Sequence, residues 1–222
     1  MPITGTSDSL ADGSVASTAS GEPLPSASHP TDTFPAAAIL RTVSVVGLLN
    51  CPRMYCPTWF CPRPDASEWR REIDLVRQID GSHPIASTVS GELEAWLPVA
   101  GPVDDLGISL YRTTWNPTFG YFHYPIPAWF YRVRALAVRP FVDSVEISEL
   151  QAEPWFGEPI SNNTPAEWAT YFTPRDLADN VSFAARTGIS ETNLWGAEWW
   201  FWLKKHGDSG LWDEARRIFS AR

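Results

Sequence analysis

Helical and strand-like patterns alternate along the chain from about residue 65, and this alternation constrains the fold more than any other feature. Apolar and β-branched runs at 85–90, 106–111, 142–150 and 192–197 predict four strands, with amphipathic helices before, between and after them. A long loop, which could hide a short helix, joins the first two strands. Strands separated by helices pair in parallel. The pattern predicts an α/β fold, a partial (β/α)8 TIM barrel with about the last four βα units, because a complete barrel takes about 250 residues.

Residues 1–60 differ sharply in composition from the rest of the chain. Of the first 38 residues, 27 are Ser, Thr, Pro, Ala or Gly, and none of the first 40 is Lys or Arg. Such a segment lacks the apolar residues needed to offset the entropy of ordering a chain. We expect 1–60 to be a low-complexity segment, disordered or encoded in a shifted reading frame, and 61–222 to be the folded domain. Within 1–60, the apolar stretch 36–50 is too short to span a membrane and predicts a single strand or an apolar patch.

Charge and cysteine usage narrow the classes of partner. The net charge of −9 and the pI near 4.9 argue against nucleic acid or an anionic membrane surface, because both attract clustered Lys and Arg. Cys51, Cys56 and Cys61 lie five residues apart, each before a proline, which is not the usual spacing of zinc ligands. A metal site shared with His83 is one interpretation, and free thiols in a proline-rich loop are the other. We expect free thiols, no metal and no other cofactor.

The residues at the carboxyl ends of the predicted strands are the candidates for chemistry, since reactive side chains of a barrel project from those ends. Glu149 closes the third strand, Tyr111 ends the strand before it, and Trp195 ends the strand after it. A carboxylate beside a phenol and an indole suits glycoside cleavage, because the carboxylate can attack an oxocarbenium-like centre while the indole packs against the sugar. The alternatives are an arginine-paired surface carboxylate and aromatic side chains that belong to the core.

Four stretches, EIDLVRQIDGSHPI, LGISLYRTTW, SELQAEPW and NLWGAEWWFWLKK, carry a family resemblance. From about residue 61 to 222 the chain resembles the last four strands of a clan A glycoside hydrolase, near the cellulase-like family 5 and the family 42 β-galactosidases. The resemblance implies a carbohydrate substrate, retaining chemistry with Glu149 as nucleophile, Tyr111 beside it, and Trp195 as the floor of the sugar subsite. Trp115, Glu153 and Glu198 are further candidates for the cleft. Strand parity predicts that Glu146 faces away from Glu149.

The chain departs from that family at the acid/base position. In the family an Asn-Glu pair ends strand four, and retaining hydrolysis needs this second carboxyl about 5 to 5.5 Å from the first. The corresponding stretch here, GLLNCPRMYCPTWFCPRP, contains no carboxylate. The resemblance therefore implies an incomplete or inactive hydrolase lacking strands one to four. The alternative is a non-catalytic saccharide-binding or interaction module on a half barrel. Open sheet edges also predict self-association.

The composition of the N-terminal segment gives a first test. We expect residues 1 to about 35 to be cleaved rapidly by a protease of broad specificity, leaving a resistant core that begins between Ala36 and Asp65. Limited proteolysis followed by intact mass measurement locates that boundary. A protease-resistant N-terminus would contradict the interpretation.

Overall fold

A computed structural model describes residues 43–44 and 66–221 of the chain. The three cysteines, the expected position of the acid/base carboxylate and the expectations for residues 1–35 lie outside the described residues.

Five strands form one parallel sheet, and two more form a separate antiparallel hairpin. The parallel strands are β1 (Val43–Ser44), β2 (Ile85–Ser90), β3 (Asp105–Leu110), β6 (Ser144–Gln151) and β7 (Thr192–Trp195), in that spatial order; the hairpin is β4 (Thr113–Asn116) with β5 (Gly120–His123). The predicted α/β fold with a parallel sheet is confirmed. Within the described ranges the sheet stays open and no closed barrel forms. Its first strand, β1, precedes the predicted domain start at residue 61 and pairs with β2.

Seven α-helices connect or follow these strands in the described residues. They are α1 (Ala66–Ile79), α2 (Leu97–Ala100), α3 (Ala128–Val138), α4 (Pro165–Tyr171), α5 (Pro174–Thr187), α6 (Ala197–Lys205) and α7 (Gly210–Ser220). The ends of α4 and α5 are encoded locally. Thr164 and Thr173 each form a reciprocal capping box with the acidic residue three positions later, and a proline follows each threonine. Gly188, with φ +77°, ends α5 in the left-handed conformation that glycine adopts readily.

One face of the parallel sheet is apolar and packs against helices. Ile85, Val89, Leu106, Ile108, Leu110, Ile147 and Leu150 form a core with side chains of α1, α3 and α5. A second core lies among α4 to α7, around Trp168, Leu177 and Trp200. The opposite face of the sheet carries small polar side chains, and the hydroxyls of Thr88 and Ser148 meet there at 3.0 Å. This division leaves the polar face and the strand ends for the candidate site.

A bulge in β6 places Glu146 on the same face of the sheet as Glu149, whereas the sequence predicted opposite faces. The pairing of β3 with β6 runs Gly107 with Glu146 and Ile108 with Ile147, then skips Ser148 and continues with Ser109 opposite Glu149. Gly107 and Ser109 are two residues apart and share a face, so Glu146 and Glu149 share a face as well. The prediction that they face opposite ways was wrong, because strict alternation takes no account of an inserted residue.

The four predicted strands and the helices α1, α3, α5 and α7 are found close to their predicted bounds. The sequence interpretation missed α4, α6 and the β4–β5 hairpin. The hairpin turn runs from Asn116 to Gly120, and both end residues are of types that favour turns. The Asn116 side chain accepts from the backbone N–H groups of Thr118 and Phe119, and Gly120 has φ +68°. Among the described residues no helix has the length and apolar character that crossing a membrane requires.

Gly91, directly after β2, provides a test of the close packing at the strand end. A Cβ there would lie 2.5 Å from the backbone oxygen of Ser109 and 3.1 Å from the ring of Tyr131. We expect Gly91→Ala to lower the free energy of unfolding by about 1 to 3 kcal/mol, because the backbone of β3 must shift. Chemical denaturation measures the change.

Gly101→Ala is the matched control. Gly101 has an ordinary helical φ of −66°, and a Cβ there would meet no atom within 4 Å. This variant should be neutral or stabilising by up to about 1 kcal/mol. Equal effects of the two substitutions would show that the packing at Gly91 is looser than described.

Candidate functional site

Glu149 and Tyr111 meet at the carboxyl edge of the sheet. The hydroxyl of Tyr111 donates to Oε2 of Glu149 over 3.2 Å, and both side chains are half-buried. Burial raises the pKa of Glu149, and the hydrogen bond from Tyr111 partly offsets this effect. The pKa of Tyr111 is itself raised, first by burial and then by the charge of Glu149, so the phenol stays protonated and remains a donor.

Glu153 and Trp195 form a second contact beside this pair. The indole of Trp195 lies near enough to the carboxylate of Glu153 to lower its pKa, and the Glu153 charge raises the pKa of Tyr111. Burial, followed by the charge of Glu198, raises the pKa of Glu153 to about 7. Trp195 is 52% exposed, so much of its side chain remains open to solvent. The structure thus brings Tyr111, Glu149, Glu153 and Trp195 into one acidic, aromatic cluster, with Glu198 at its border.

Glu92 is a functional candidate that the sequence interpretation did not select. It lies just after β2, and its Oε1 accepts from the backbone N–H of Tyr111 at 3.1 Å and from the hydroxyl of Tyr131 at 2.9 Å. Burial raises the pKa of Glu92 to about 7 against these hydrogen bonds. Through the backbone of Tyr111, Glu92 helps to fix the phenol that holds Glu149. Its position directly after a predicted strand was the signal available in the sequence.

The segment after β6 is fixed by buried side-chain hydrogen bonds to backbone. The Gln151 side chain accepts from the Thr113 N–H at 2.9 Å and donates to the Thr113 carbonyl at 2.7 Å, which ties the hairpin to β6. Asn180 donates to the Gln151 carbonyl at 2.9 Å, and the Trp200 indole donates to the Ala152 carbonyl at 2.6 Å. These contacts order the backbone on which Glu149 and Glu153 sit.

Trp115 lies in β4 and contacts the segment after β6. A Cβ on Gly157 would fall 2.7 Å from the Trp115 ring, so the indole rests directly on the glycine backbone. Trp115 is half-buried, and this contact gives it a packing role.

A cavity of about 270 Å³ opens beside the cluster. Its walls come from the segment after β6 and from α6, and consist of Glu153, Phe156, Ile160, Glu198, Trp199 and Trp202. Glu153 therefore belongs both to the cluster around Tyr111 and to the cavity. No group of three His, Cys, Asp or Glu side chains with a metal-binding arrangement occurs within residues 66–221.

No protein-family model matches the chain, and neither does any curated protein. A solved structure that it resembles is the FMN-binding beta-glucuronidase from Facaelibacterium prausnitzii L2-6, with 12% sequence identity and a TM-score of 0.35. The match covers 60% of this chain and 20% of that one, so the matched part spans about a fifth of the glucuronidase. The clan A resemblance stays a prediction.

The raised pKa of Glu92 predicts a pH dependence of stability. The carboxyl titrates at about 7 in the folded protein and near 4.5 when unperturbed, so the folded state keeps a proton that the unfolded chain releases. Below pH 4.5 the protonation of Glu92 therefore adds fully to the free energy of unfolding. This contribution, on the order of 3 kcal/mol, is lost as the pH rises to about 7. We expect Glu92→Gln, which keeps an acceptor oxygen, to flatten the decline in unfolding free energy over this window.

Urea denaturation between pH 4.5 and 8 measures the effect, with Glu72→Gln as a control at an exposed glutamate. The control should retain the wild-type slope. Identical slopes for Glu92→Gln and wild type would mean that Glu92 is not the titrating group.

Proposed function

We propose that this chain is a glycoside hydrolase-like protein in which Glu149 is the nucleophile of a retaining O-glycosidase. The observation that carries the proposal is the hydrogen bond from Tyr111 to Glu149 at the carboxyl ends of neighbouring parallel strands. Carboxylates at this edge are where α/β barrels perform chemistry. The proposal needs no metal or cofactor, because carboxylates alone supply the chemistry of retaining hydrolysis.

The roles of the other groups follow from their contacts. Tyr111 orients one oxygen of Glu149, which leaves the other oxygen to attack the anomeric carbon. The half-exposed indole of Trp195 offers an apolar surface to the C–H groups of a sugar ring. Attack forms a glycosyl–Glu149 ester as the bond to the leaving oxygen breaks, and water then hydrolyses that ester. Tyr111 holds the carboxylate in place throughout, since its raised pKa keeps the phenol protonated.

The missing strand-four carboxylate limits the reaction that we expect. Without the strand-four proton donor, a sugar or alkyl group leaves as an alkoxide, and acid catalysis is typically worth about 10² to 10⁴ in rate. An activated aryl leaving group departs without protonation. We therefore propose slow reaction with activated aryl glycosides and no turnover of an unactivated disaccharide.

A saccharide-binding module without catalysis is the second candidate. Exposed aromatic side chains on the hairpin favour it: Phe119 is 78% exposed, and Tyr121 and Phe122 are each 41% exposed. Aromatic rings at a surface can pack against sugar rings. This candidate requires binding that does not depend on Glu149.

Covalent trapping distinguishes the two candidates. We expect a panel of 2,4-dinitrophenyl 2-deoxy-2-fluoroglycosides to include a sugar that adds one glycosyl group to the protein, because the fluorine slows hydrolysis of the ester. Intact mass spectrometry detects the adduct, and peptide mapping locates it on Glu149. Tyr111→Phe should slow labelling roughly tenfold or more, since it removes a hydrogen bond to a charged group.

Glu149→Gln should show no adduct. Glu146→Gln is the matched control, because Glu146 shares the face of Glu149 but pairs two residues further back along β3. It should label at the wild-type rate. Sugar binding with no adduct across the whole panel would favour the binding module, and an adduct on another carboxylate would overturn the assignment of Glu149.

A further inference from the structure

The hydrogen-bond ladder between β2 and β3 changes its pattern at Tyr111. Gly91 donates to the Ser109 carbonyl at 2.8 Å, and a regular parallel ladder would continue with Tyr111 donating to the Gly91 carbonyl. That carbonyl instead accepts from Nη1 of Arg134 at 2.7 Å. The N–H of Tyr111 donates to Oε1 of Glu92 at 3.1 Å. A side chain therefore holds the backbone of Tyr111 where a strand carbonyl would ordinarily do so.

A buried phenol holds Glu92 in turn. The hydroxyl of Tyr131 donates to the same Oε1 at 2.9 Å, and Tyr131 is 0% exposed. The ring of Tyr131 meets those of Phe130 and Phe183 edge-on, with centroids 5.8 Å apart in each pair. The carboxyl of Glu92 is thus anchored to α3 and to the core, and it provides a fixed acceptor for Tyr111.

The loop that carries Glu92 is fixed on both sides of this residue. Arg134 donates to the carbonyls of Gly91 and Glu94, and its guanidinium lies 4.4 Å from the centre of the Trp96 ring. Contacts of this kind hold a functional group in place before any ligand arrives. The position of Tyr111 therefore depends on side chains from α3 as well as on strand pairing.

The ring of Tyr111 transmits this position to Glu149. It meets the Trp155 ring edge-on, with centroids 5.5 Å apart, and its hydroxyl donates to Oε2 of Glu149 at 3.2 Å. Because a phenol is rigid beyond its Cβ, a shift of the Tyr111 backbone displaces the hydroxyl as well. A hydrogen bond weakens steeply as its geometry is lost, so the contact with Glu149 responds to such a shift.

We propose that Glu92 is a positioning residue for the candidate nucleophile, one that fixes the backbone of Tyr111 so that its phenol meets Glu149. The inference rests on the proposed function, to which it adds a residue that acts only through Tyr111. Glu92 acts through an acceptor oxygen, because both of its donors share Oε1. A glutamine keeps that oxygen in place. An alanine removes it, and a shorter aspartate does not present it to both donors.

The pKa of Glu149 tests this proposal without requiring catalysis. Carbon-13 NMR titration of the full chain, labelled at the glutamate carboxyl groups, measures this pKa, and Glu149→Gln identifies the signal. Tyr111→Phe should raise the pKa of Glu149, because the charged carboxylate loses a donor. Glu92→Ala should raise it as well, whereas Glu92→Gln should leave it at the wild-type value.

A double-mutant cycle shows whether Glu92 acts through Tyr111. In a Tyr111→Phe background, Glu92→Ala should raise the pKa of Glu149 no further, because the bond that Glu92 supports is already lost. If Glu92→Ala does not fold, Glu92→Asp takes its place with the same expectation. An unchanged pKa of Glu149, an equal rise with and without the Tyr111 hydroxyl, or an equal rise in Glu92→Gln would overturn the proposal.

Asp104→Ala is the matched control. Asp104 also accepts from a strand backbone N–H, that of Ile85 at 2.8 Å, but at the amino end of β2. This variant should lower the free energy of unfolding and leave the pKa of Glu149 unchanged. A rise equal to that in Glu92→Ala would mean that general loosening of the sheet causes the effect, and would overturn the proposal.

Labelling with the activated fluoroglycosides separates this proposal from the hydrolase. At saturating reagent, Glu92→Ala should slow labelling of Glu149 roughly threefold to tenfold, the effect of weakening one hydrogen bond, with unchanged affinity for the reagent. The expected pKa changes without labelling of any variant would retain the positioning role and refute the hydrolase. Labelling of Glu92→Ala at the wild-type rate would retain the hydrolase and overturn the positioning role.

Discussion

The contrast between the two faces of the parallel sheet is the constraint on which the rest of the structure depends. Buried side chains such as Ile108 and Ile147 pack one face of the sheet against α1, α3 and α5. Burial of apolar area at about 25 cal/mol per Å² drives this packing and leaves the polar face and the strand ends outside the core. The carboxylates therefore collect at one edge of the sheet, where Glu92 follows β2, Glu149 lies near the end of β6 and Glu153 follows β6. Their raised pKa values result from burial in that crowded edge.

These carboxylates are held by neutral donors. Tyr111 donates to Glu149 and Tyr131 donates to Glu92, while the Trp195 indole lies near Glu153 and lowers its pKa. A phenol or indole orients a carboxylate without neutralising it, whereas an arginine would supply a full opposing charge. Because burial raises the pKa of Glu92 and Glu153 to about 7, both carboxyls exchange a proton near neutral pH. The nearby arginines donate to backbone carbonyls: Arg112 lies over the Phe183 ring and donates to Ile126, and Arg134, on which the charge of Glu92 also acts, donates to Gly91 and Glu94.

The sequence predicted the elements better than it predicted the site. The bounds of β2 and α5 follow from local patterns, such as the β-branched run of β2 and the Thr173 cap of α5. The meeting of Tyr111 and Glu149 was expected because parallel strands bring their carboxyl ends to one edge. Glu92 was missed because its importance depends on Tyr131, 39 residues away, which periodicity assigns only to a helix. The cavity could not be predicted either, since α6 was not recognised.

The Ser148 bulge has a consequence for how distant relatives of this chain are recognised. Ser148 acts as a one-residue insertion within β6, so positions before and after it differ in phase by one. An alignment that places no gap at Ser148 matches Glu149 with a core position of an unbulged relative, and Leu150 with a polar one. Such an alignment scores poorly over the strand that carries the candidate nucleophile. A sequence search that allows a single-residue gap inside β6 is therefore better suited to detecting homologous proteins than a search that allows gaps only in loops.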